Sequence, residues 1–429
     1  MRKKLFFVFV LLFFSTSIFC KERIIKEKCP YPTVVEEEPN VLHKIITCNG
    51  MLVLKAEVQC ENGKTFPFIF MLDTGSASSS IMMEEFSPIQ EYFNTKIGGT
   101  QFLVCDVIFE SFMVENLYLS RFNNISVNLK ELKLIFNDKD YYFGILGNDV
   151  LMNKSLLLSI SKGYFKWNNE NPLKQSPSVI CPEMDTICST RSGTDFYQYT
   201  IYIEDEYFKS DNHDAPILGF FNSPDKSKSR YFVDTGTYYL ATSNLDMYYQ
   251  IKNRKLSNFT YNSEISMELG YASILKPEFL GKKFDSLQAM SGRTPEMFKC
   301  FGNQVLAAFD IYFDKENTEK VQKIYFSPVE NSIYQTYRQK NDHSYYQAST
   351  FGFRVTHSNN RVTEKAFVNG KEILKPVEIG DTILSINGIS YKSIKEWELP
   401  DKVKIEVKKK KGNIIVINAK RIYLKELAL

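Results

Sequence analysis

The sequence lacks the residue patterns that identify several common classes of enzyme. It has no Gly-x-Ser-x-Gly motif, and no histidine is placed to serve a serine or cysteine nucleophile. It has no Cys-x-x-Cys pair, and its four histidines lack the spacing of metal ligands. These scattered residues are His43, His213, His343 and His357. We therefore expect no cofactor and no metal, and neither a zinc enzyme nor a serine hydrolase is indicated.

Net charge and long apolar runs are also scarce. A formal net charge of +3 over 429 residues gives no argument for nucleic-acid binding. The apolar run from Leu5 to Phe14 is shorter than the roughly 20 residues that span a bilayer. It follows the basic residues Arg2 to Lys4 and ends in a short polar stretch, which predicts a secretory signal peptide over residues 1–20. We therefore expect an exported protein, periplasmic or extracellular, with no transmembrane segment in the mature chain.

The cysteines leave two points open. Cys20 is either the last residue of the signal or a lipidated first residue of the mature chain, which would tether the protein to a membrane. The bulky Phe19 favours plain cleavage, since a lipoprotein signal has a small residue there. Among the other seven cysteines, Cys181 and Cys188 are near enough in sequence to pair across a short loop, or they stay reduced.

The patterns that are present are those of β-strands. Hydrophobic residues make up 44% of the chain, enough for substantial cores. From about Leu42 the apolar residues alternate with polar ones, as in Met51 to Gln59, and Asn62 with Gly63 predicts a turn. Phe66 to Leu72 then predicts a buried strand that leads directly into Asp73. We therefore expect an all-β fold.

An internal repeat is the most specific feature of the sequence. Phe66 to Met82 reads FPFIFMLDTGSASSSIM, and Arg230 to Leu245 reads RYFVDTGTYYLATSNL. Each is an apolar run that ends in Asp-Thr-Gly and continues with a hydroxyl residue. The two aspartates, Asp73 and Asp234, are 161 positions apart, so each belongs to its own half of a duplicated fold.

A second pair of elements follows the two Asp-Thr-Gly motifs at matching distances. In each half, two apolar residues are followed by a glycine. This glycine is 74 positions after Asp73 in the first half and 68 positions after Asp234 in the second. The sequences stay parallel beyond each glycine, as Gly-Asn-Asp-Val-Leu and Gly-Asn-Gln-Val-Leu, which predicts a short helix in both halves. These apolar-apolar-Gly elements are Ile145, Leu146 and Gly147 in the first half and Cys300, Phe301 and Gly302 in the second.

The paired motifs resemble the pepsin and retropepsin superfamily of aspartic peptidases over about residues 42–328. The resemblance implies two similar β-barrel lobes with an active site in the cleft between them, and it implies that Asp73 and Asp234 are catalytic. Two carboxyl groups held this close retain one proton, so the pair can both deprotonate a water and protonate the substrate. The titration belongs to the pair rather than to either aspartate.

The resemblance also assigns roles to the residues after each aspartate. Threonines at these positions reach across to the opposite loop, and the glycines permit a close backbone approach. The following hydroxyls hydrogen-bond the adjacent carboxylate, which favours its ionised form and predicts an optimum at mildly acidic pH. The supporting residues are Thr74, Gly75, Ser76, Thr235, Gly236 and Thr237.

Two features depart from the family. Tyr238 and Tyr239 are bulkier than the residues usual after the second motif, which puts the shape of the substrate pocket in question. No clear flap motif with its tyrosine is present, and the turn at Gly98 and Gly99 is the candidate flap. A stretch around Gly270 is its candidate counterpart in the second half.

The C-terminal region resembles a PDZ domain. Phe351, Gly352 and Phe353 match its carboxylate-binding loop, and Val377 to Gly388, VEIGDTILSING, matches its Gly-Asp-x-Ile-x-x-Ile-Asn-Gly turn. PDZ domains bind extended peptides or C-termini by strand addition. The segment is thus expected either to tether substrate or to serve as a structural module. The whole layout resembles bacterial aspartyl protease family proteins with a C-terminal PDZ domain.

These observations predict seven segments. They are a signal peptide at 1–20, a linker, prosegment or added strand at 21–45, a first peptidase lobe at 46–170, a connector at 171–193, a second lobe at 194–330, a linker at 331–347 and a PDZ-like domain at 348–429. We expect a monomeric endopeptidase that acts on peptide or protein substrates. The alternative is a catalytically silent protease fold that binds peptides or proteins.

Overall fold

The chain is mostly β-strand with few helices, which confirms the all-β class. The structure is a computed structural model of the full chain. It describes residues 32–36, 38, 40–48, 50–82, 88–97, 100–122, 141–168, 170–180, 200–203, 208–209, 229–242, 259–263, 269–292, 300–315, 321, 323–342, 349–355, 359–368, 371–394 and 399–423. The predicted signal peptide, Cys20, Cys181 and Cys188 lie outside these residues.

The described residues in the first part of the chain form twelve strands, a 3-10 turn and a short helix. They are β1 Thr33–Glu36, β2 His43–Lys44, β3 Ile46–Cys48, β4 Met51–Cys60, β5 Thr65–Leu72, β6 Ser80–Met82, η1 Gln90–Tyr92, β7 Thr95–Ile97, β8 Thr100–Phe109, β9 Phe112–Phe122, β10 Tyr142–Leu146, α1 Asn148–Leu151, β11 Leu156–Ser159 and β12 Tyr164–Trp167.

Six of these strands close into a barrel. The hydrogen-bonded ring runs β4-β5-β10-β6-β9-β8, and pairing of β4 with β8 completes it. Alternation along β4 and the apolar run of β5 fill the interior, where Val58, Phe68 and Phe70 are fully buried. Burying each such side chain contributes about 1.5–3 kcal/mol. Asp73 directly follows β5, so this packed barrel positions it.

In the second part of the chain, the residues that the structure describes form thirteen strands and another short helix. They are β13 Ser178–Ile180, β14 Thr200–Ile203, β15 Phe208–Lys209, β16 Ser229–Val233, β17 Leu240–Thr242, β18 Phe259–Ser263, β19 Leu269–Leu275, β20 Glu278–Phe279, β21 Lys282–Lys283, β22 Ser286–Gly292, β23 Cys300–Phe301, α2 Asn303–Leu306, β24 Phe309–Asp314 and β25 Lys323–Pro328.

Five of the six strand pairings of the barrel recur in the described residues of this second part, where the closing pair of β14 with β19 is not seen. The order β14-β16-β23-β17-β22-β19 matches β4-β5-β10-β6-β9-β8 strand for strand. The orientations match too: β16 is parallel to β23 as β5 is to β10, and β17 is parallel to β22 as β6 is to β9. Both aspartates therefore follow the strand at the same place in the pairing order.

A third sheet joins the two parts. Its order is β13-β25-β24-β11-β12-β2, and the central pair β11 and β24 brings Leu156 opposite Phe313. One buried apolar cluster includes residues from both parts of the chain, from Ile45 to Tyr337. The two Asp-Thr-Gly loops are thus held by a common core.

The N-terminal segment contributes strands. Its described residues include β1, which pairs with β9, and β2, which pairs with β12. His43 fastens them: its ring nitrogens lie 2.8 Å from Ser111 Oγ and 3.3 Å from Glu36 Oε1. Burial lowers the pKa of this imidazole, because desolvation disfavours its charged form.

The C-terminal part begins with a helix. Its elements are α3 Asn331–Asp342, β26 Ser349–Thr350, β27 Phe353–Val355, β28 Val362–Val368, β29 Lys371–Glu372, β30 Thr382–Ile386, β31 Ile389–Ser390, η2 Tyr391–Ser393, β32 Lys402–Lys408, β33 Ile414–Lys420 and β34 Ile422–Tyr423. The polar sequence had indicated only a linker at 331–347. It becomes helical over α3 because Tyr334 and Tyr337 share one helical face and both are buried against the core.

The remaining C-terminal strands enclose a separate apolar cluster. They are nevertheless joined to the rest of the chain, since β28 pairs antiparallel with β18 over five residues, from Phe259 opposite Val368 to Ser263 opposite Glu364. Strand β27 then forms the far edge of the sheet that contains β16 and β23. No described helix is long and apolar enough to cross a membrane.

Candidate active site

Asp73 and Asp234 stand in equivalent places at the ends of two strands. Asp73 follows β5, and its amide donates to Leu146 O at 3.1 Å. Asp234 follows β16, and its amide donates to Phe301 O, also at 3.1 Å. Each aspartate is thus fixed by the apolar-apolar-Gly strand beside it. Both keep partial exposure, so water can reach them.

The two loops are tied together by their threonines. Thr74 Oγ1 donates to Val233 O at 2.7 Å and accepts from the Thr235 amide at 3.1 Å. Thr235 Oγ1 donates to Leu72 O at 2.8 Å and accepts from the Thr74 amide at 3.0 Å. All four hydrogen bonds are buried, so a relative shift of the loops would leave several polar groups unsatisfied.

The glycines allow each loop to approach the opposite carboxyl group. A Cβ on Gly75 would lie 2.6 Å from the carboxyl carbon of Asp234, and one on Gly236 would lie 2.4 Å from that of Asp73. No side chain fits in either place. The structure therefore brings all six residues of the two Asp-Thr-Gly motifs into one site.

The two carboxyl groups share a hydrogen bond and receive matched backbone donors. The Gly75 amide lies 2.8 Å from Asp73 Oδ1, and the Gly236 amide lies 2.8 Å from Asp234 Oδ1. Burial, and then the neighbouring charge of Asp234, hold the pKa of Asp73 well above its usual range. Burial raises the pKa of Asp234, while its hydrogen bond with Asp73 opposes that increase. A proton is therefore retained on the pair.

The hydroxyl of Ser76 does not have its expected partner. It donates to Ser78 O at 2.9 Å, so its one proton is not directed at the Asp73 carboxylate. The backbone amides of Ser76 and Thr237 interact with the adjacent carboxylates instead. The expectation for the Ser76 side chain is wrong because a nearby carbonyl in its own turn competes for the hydroxyl proton.

Gly147 and Gly302 lie against the backbone of the Asp-Thr-Gly loops. A Cβ on Gly147 would be 2.6 Å from the Ser78 carbonyl carbon, and one on Gly302 would be 2.4 Å from Tyr239 O. Ile145, Leu146, Cys300 and Phe301 are all buried beside them. The two glycines therefore let β10 and β23 lie directly against the loops and support them.

Two asparagines belong to the site although their roles were not foreseen. Asn148 Nδ2 donates to Thr74 O at 2.9 Å, and Asn303 Nδ2 donates to Thr235 O at 2.8 Å. Each therefore hydrogen-bonds the carbonyl of the threonine in its own half. The signal was in the sequence, since the dipeptide Gly-Asn occurs at both places.

Asp149 is a further buried carboxyl group behind the first loop. It accepts from the Ser79 amide at 2.9 Å and from Ser79 Oγ at 2.7 Å, and Ser79 Oγ accepts from the Gly147 amide. Burial raises its pKa to about 6. Gln304 has the equivalent position in the second half, where its Oε1 accepts from the Gln288 amide at 2.6 Å.

The two tyrosines after the second motif are buried. The ring of Tyr238 packs where a Cβ on Gly50 would lie, 2.3 Å from Cδ2. Asn303 Nδ2 also donates to Gly50 O, at 2.8 Å. Tyr238 therefore fills the space between the second loop and the turn before β4.

The candidate flap and the PDZ-like loop are not part of the described site around the aspartates. Gly98 and Gly99 fall between β7 and β8, in residues that are not described. Phe351, Gly352 and Phe353 lie in the C-terminal part, where the Gly352 amide donates to Thr350 Oγ1 at 2.8 Å. Among the described residues, no three His, Cys, Asp or Glu side chains cluster as a metal site.

Comparison with known proteins adds no assignment. No model of a known protein family matches the chain, and no curated protein matches it significantly.

Proposed function

We propose that the chain is an exported aspartic endopeptidase with two similar lobes. One observation carries the proposal: Asp73 and Asp234 share a hydrogen bond in loops that Thr74 and Thr235 tie together. Two carboxyl groups are costly to hold this close together, and a binding protein gains nothing from that cost. The repeated strand pairings support the two lobes, and the basic and apolar residues at 1–20 support export.

In this mechanism the pair holds one proton and one negative charge. The ionised carboxylate takes a proton from a water molecule as the water oxygen attacks the peptide carbonyl carbon. The protonated carboxyl group gives its proton to the carbonyl oxygen, which yields a neutral tetrahedral intermediate. Return of that proton to the pair and transfer of the other to the nitrogen break the C–N bond. Both aspartates come from one chain, so the mechanism needs no dimer.

For the C-terminal part we propose a PDZ-like module. Its Gly352 amide already has an acceptor in Thr350, and its strand β28 extends the sheet that bears Asp234. Both contacts favour a structural role over capture of a terminal carboxylate. Binding of a peptide to this part would be the outcome that restores the tethering role.

The deciding experiment is cleavage of a mixed peptide library by the full chain. Wild type, Asp73→Asn and Asp234→Asn would be compared with and without pepstatin. Asp285→Asn is the matched control, since that side chain is 94% exposed. We expect cleavage by wild type and control only. Cleavage that persists in Asp73→Asn would exclude the mechanism, and no cleavage by folded wild type at any pH would favour the silent, peptide-binding alternative.

The proposal includes a mildly acidic optimum. The mechanism requires one proton on the pair, and burial raises the pKa of both aspartates. The rate should therefore fall as rising pH removes that shared proton. A pH–rate profile that peaks at alkaline pH would contradict this expectation.

A further inference from the structure

Cys300 lies on β23, on the face of the sheet that Asp234 shares. The parallel register sets Cys300 opposite Phe232 and Phe301 opposite Val233. Side chains alternate along a strand, so Cys300 shares a face with Phe232 and Asp234, whereas Phe301 faces the core. The ring of Phe301 indeed packs 4.8 Å from that of Tyr231. Strand β23 thus directs a thiol toward one of the two aspartates.

The thiol is close enough to interact with that carboxyl group. Cys300 forms no disulfide among the described residues and is 5% exposed, and its side chain hydrogen-bonds Asp234. A thiol is a weak donor, but a hydrogen bond to an ionised acceptor is stronger than one to a neutral acceptor.

The equivalent residue of the first half, Ile145, is no such donor. Strand β10 sets Ile145 opposite Met71 and Leu146 opposite Leu72, so Ile145 shares a face with Asp73. Ile145 is also 5% exposed, which matches Cys300 in burial. Its side chain has no polar hydrogen. The two equivalent positions therefore offer one aspartate a thiol and the other a hydrocarbon.

The remaining donors to the two carboxyl groups match. The Gly75 and Gly236 amides both lie at 2.8 Å, and the amides of Ser76 and Thr237 are equivalent. Matched donors stabilise either ionised form equally. The thiol is the difference between the two described environments.

We propose that Cys300 is a positioning residue that makes Asp234 the ionised member of the pair and leaves the shared proton on Asp73. Asp234 would then take the proton from water, and Asp73 would protonate the carbonyl oxygen. The proposal deepens the function proposed above and rests on it for its catalytic consequence. The balance of protons is unchanged, since the thiol donates a hydrogen bond and keeps its proton.

The other titratable groups near this thiol do not alter the assignment. Among the described residues they are Asp73, Asp234 and Tyr231. Burial, and then the neighbouring Cys300, raise the pKa of Tyr231 well above its usual range, so this phenol is neutral throughout the working range. No described cation faces the pair closely enough to affect either carboxyl group.

The test replaces the thiol by the residue of the other half. Cys300→Ile removes the donor, Cys300→Ser keeps one, and Ile145→Cys in the Cys300→Ile background moves the thiol beside Asp73. Carbon-13 NMR of labelled aspartate carboxyls, read against pH, would identify which aspartate ionises first. We expect Asp234 first in wild type and Cys300→Ser, no strong preference in Cys300→Ile, and Asp73 first in the exchanged variant.

Turnover gives a second readout. The acidic limb of the kcat/KM profile should move up by about half to one pH unit in Cys300→Ile and stay near wild type in Cys300→Ser. An unchanged order of ionisation in folded Cys300→Ile would overturn the proposal. The NMR titration needs no substrate, so a chain that cleaves nothing would refute the proposed function while the assignment is still decided.

Discussion

The threonines that tie the two loops together give the most direct test of the site's construction. Thr74→Val preserves side-chain shape but removes a hydroxyl that makes two buried hydrogen bonds. It leaves Val233 O and the Thr235 amide without their partner. Each unsatisfied buried group costs about 1–3 kcal/mol, so the variant should lose about 2–6 kcal/mol of unfolding free energy. Thr235→Val should lose a similar amount, because it leaves Leu72 O and the Thr74 amide without their hydrogen-bond partner.

Serine at the same positions separates the hydrogen bonds from packing. Thr74→Ser keeps both bonds and loses one buried methyl group, a cost of about 1 kcal/mol. Thr336→Val is the control, since its hydroxyl donates to Ser332 O on the exposed side of α3 and should matter by less than about 0.5 kcal/mol. Urea unfolding of the full chain measures these differences. Equal losses for valine and serine would refute the reasoning, because packing alone would then explain the effect.

Three further variants test charge and strand pairing. Asp73→Asn should raise stability near neutral pH: the folded-state pKa of Asp73 is elevated, so ionisation costs stability as pH rises, and urea midpoints at pH 4 and 7 should diverge between variant and wild type. Asp149→Asn should gain about 2.4 kcal/mol relative to wild type between those pH values, because the pKa of Asp149 is about 6 in the fold and 3.8 as a free group. A constant difference between the two proteins would argue against that raised pKa. Phe367→Pro should break the pairing of β28 with β18 and expose the C-terminal part to limited proteolysis, and an unaltered cleavage pattern would mean that this pairing does not hold it.

The local construction of the site follows from residues that are tightly constrained. Gly75 and Gly236 can have no side chain there, and Gly147 and Gly302 lie against backbone, so the same residue types had to occur twice. Such repetition is visible in a single sequence. The roles of Asp149 and Asn303 were within reach, since both follow the repeated glycines, but their partners are separated from them by dozens of residues or more.

Long-range pairings were not accessible in the same way. Strand β1 pairs with residues near Glu115 and β18 pairs with residues near Val368, and neither sequence specifies its partner, because alternation fixes which face is buried but not which edge is joined. The orientation of the Ser76 hydroxyl likewise depends on a choice between two nearby acceptors. The secondary-structure propensity of a segment does not determine which strand it pairs with or which acceptor a hydroxyl chooses. The three-dimensional arrangement determines both.

The Asp-Thr-Gly loops are held from two directions, and this explains how two carboxyl groups remain so close. Thr74 and Thr235 prevent the loops from separating, since each donates to a carbonyl of the opposite half. Asn148 and Asn303, the first residues of α1 and α2, each hydrogen-bond the loop of their own half and so hold it against that helix. Repulsion between the aspartates can therefore be relieved only by retaining a proton, not by movement. The same restraint that is costly to stability keeps one acid and one base at hydrogen-bonding distance, which is the condition that hydrolysis by an activated water requires.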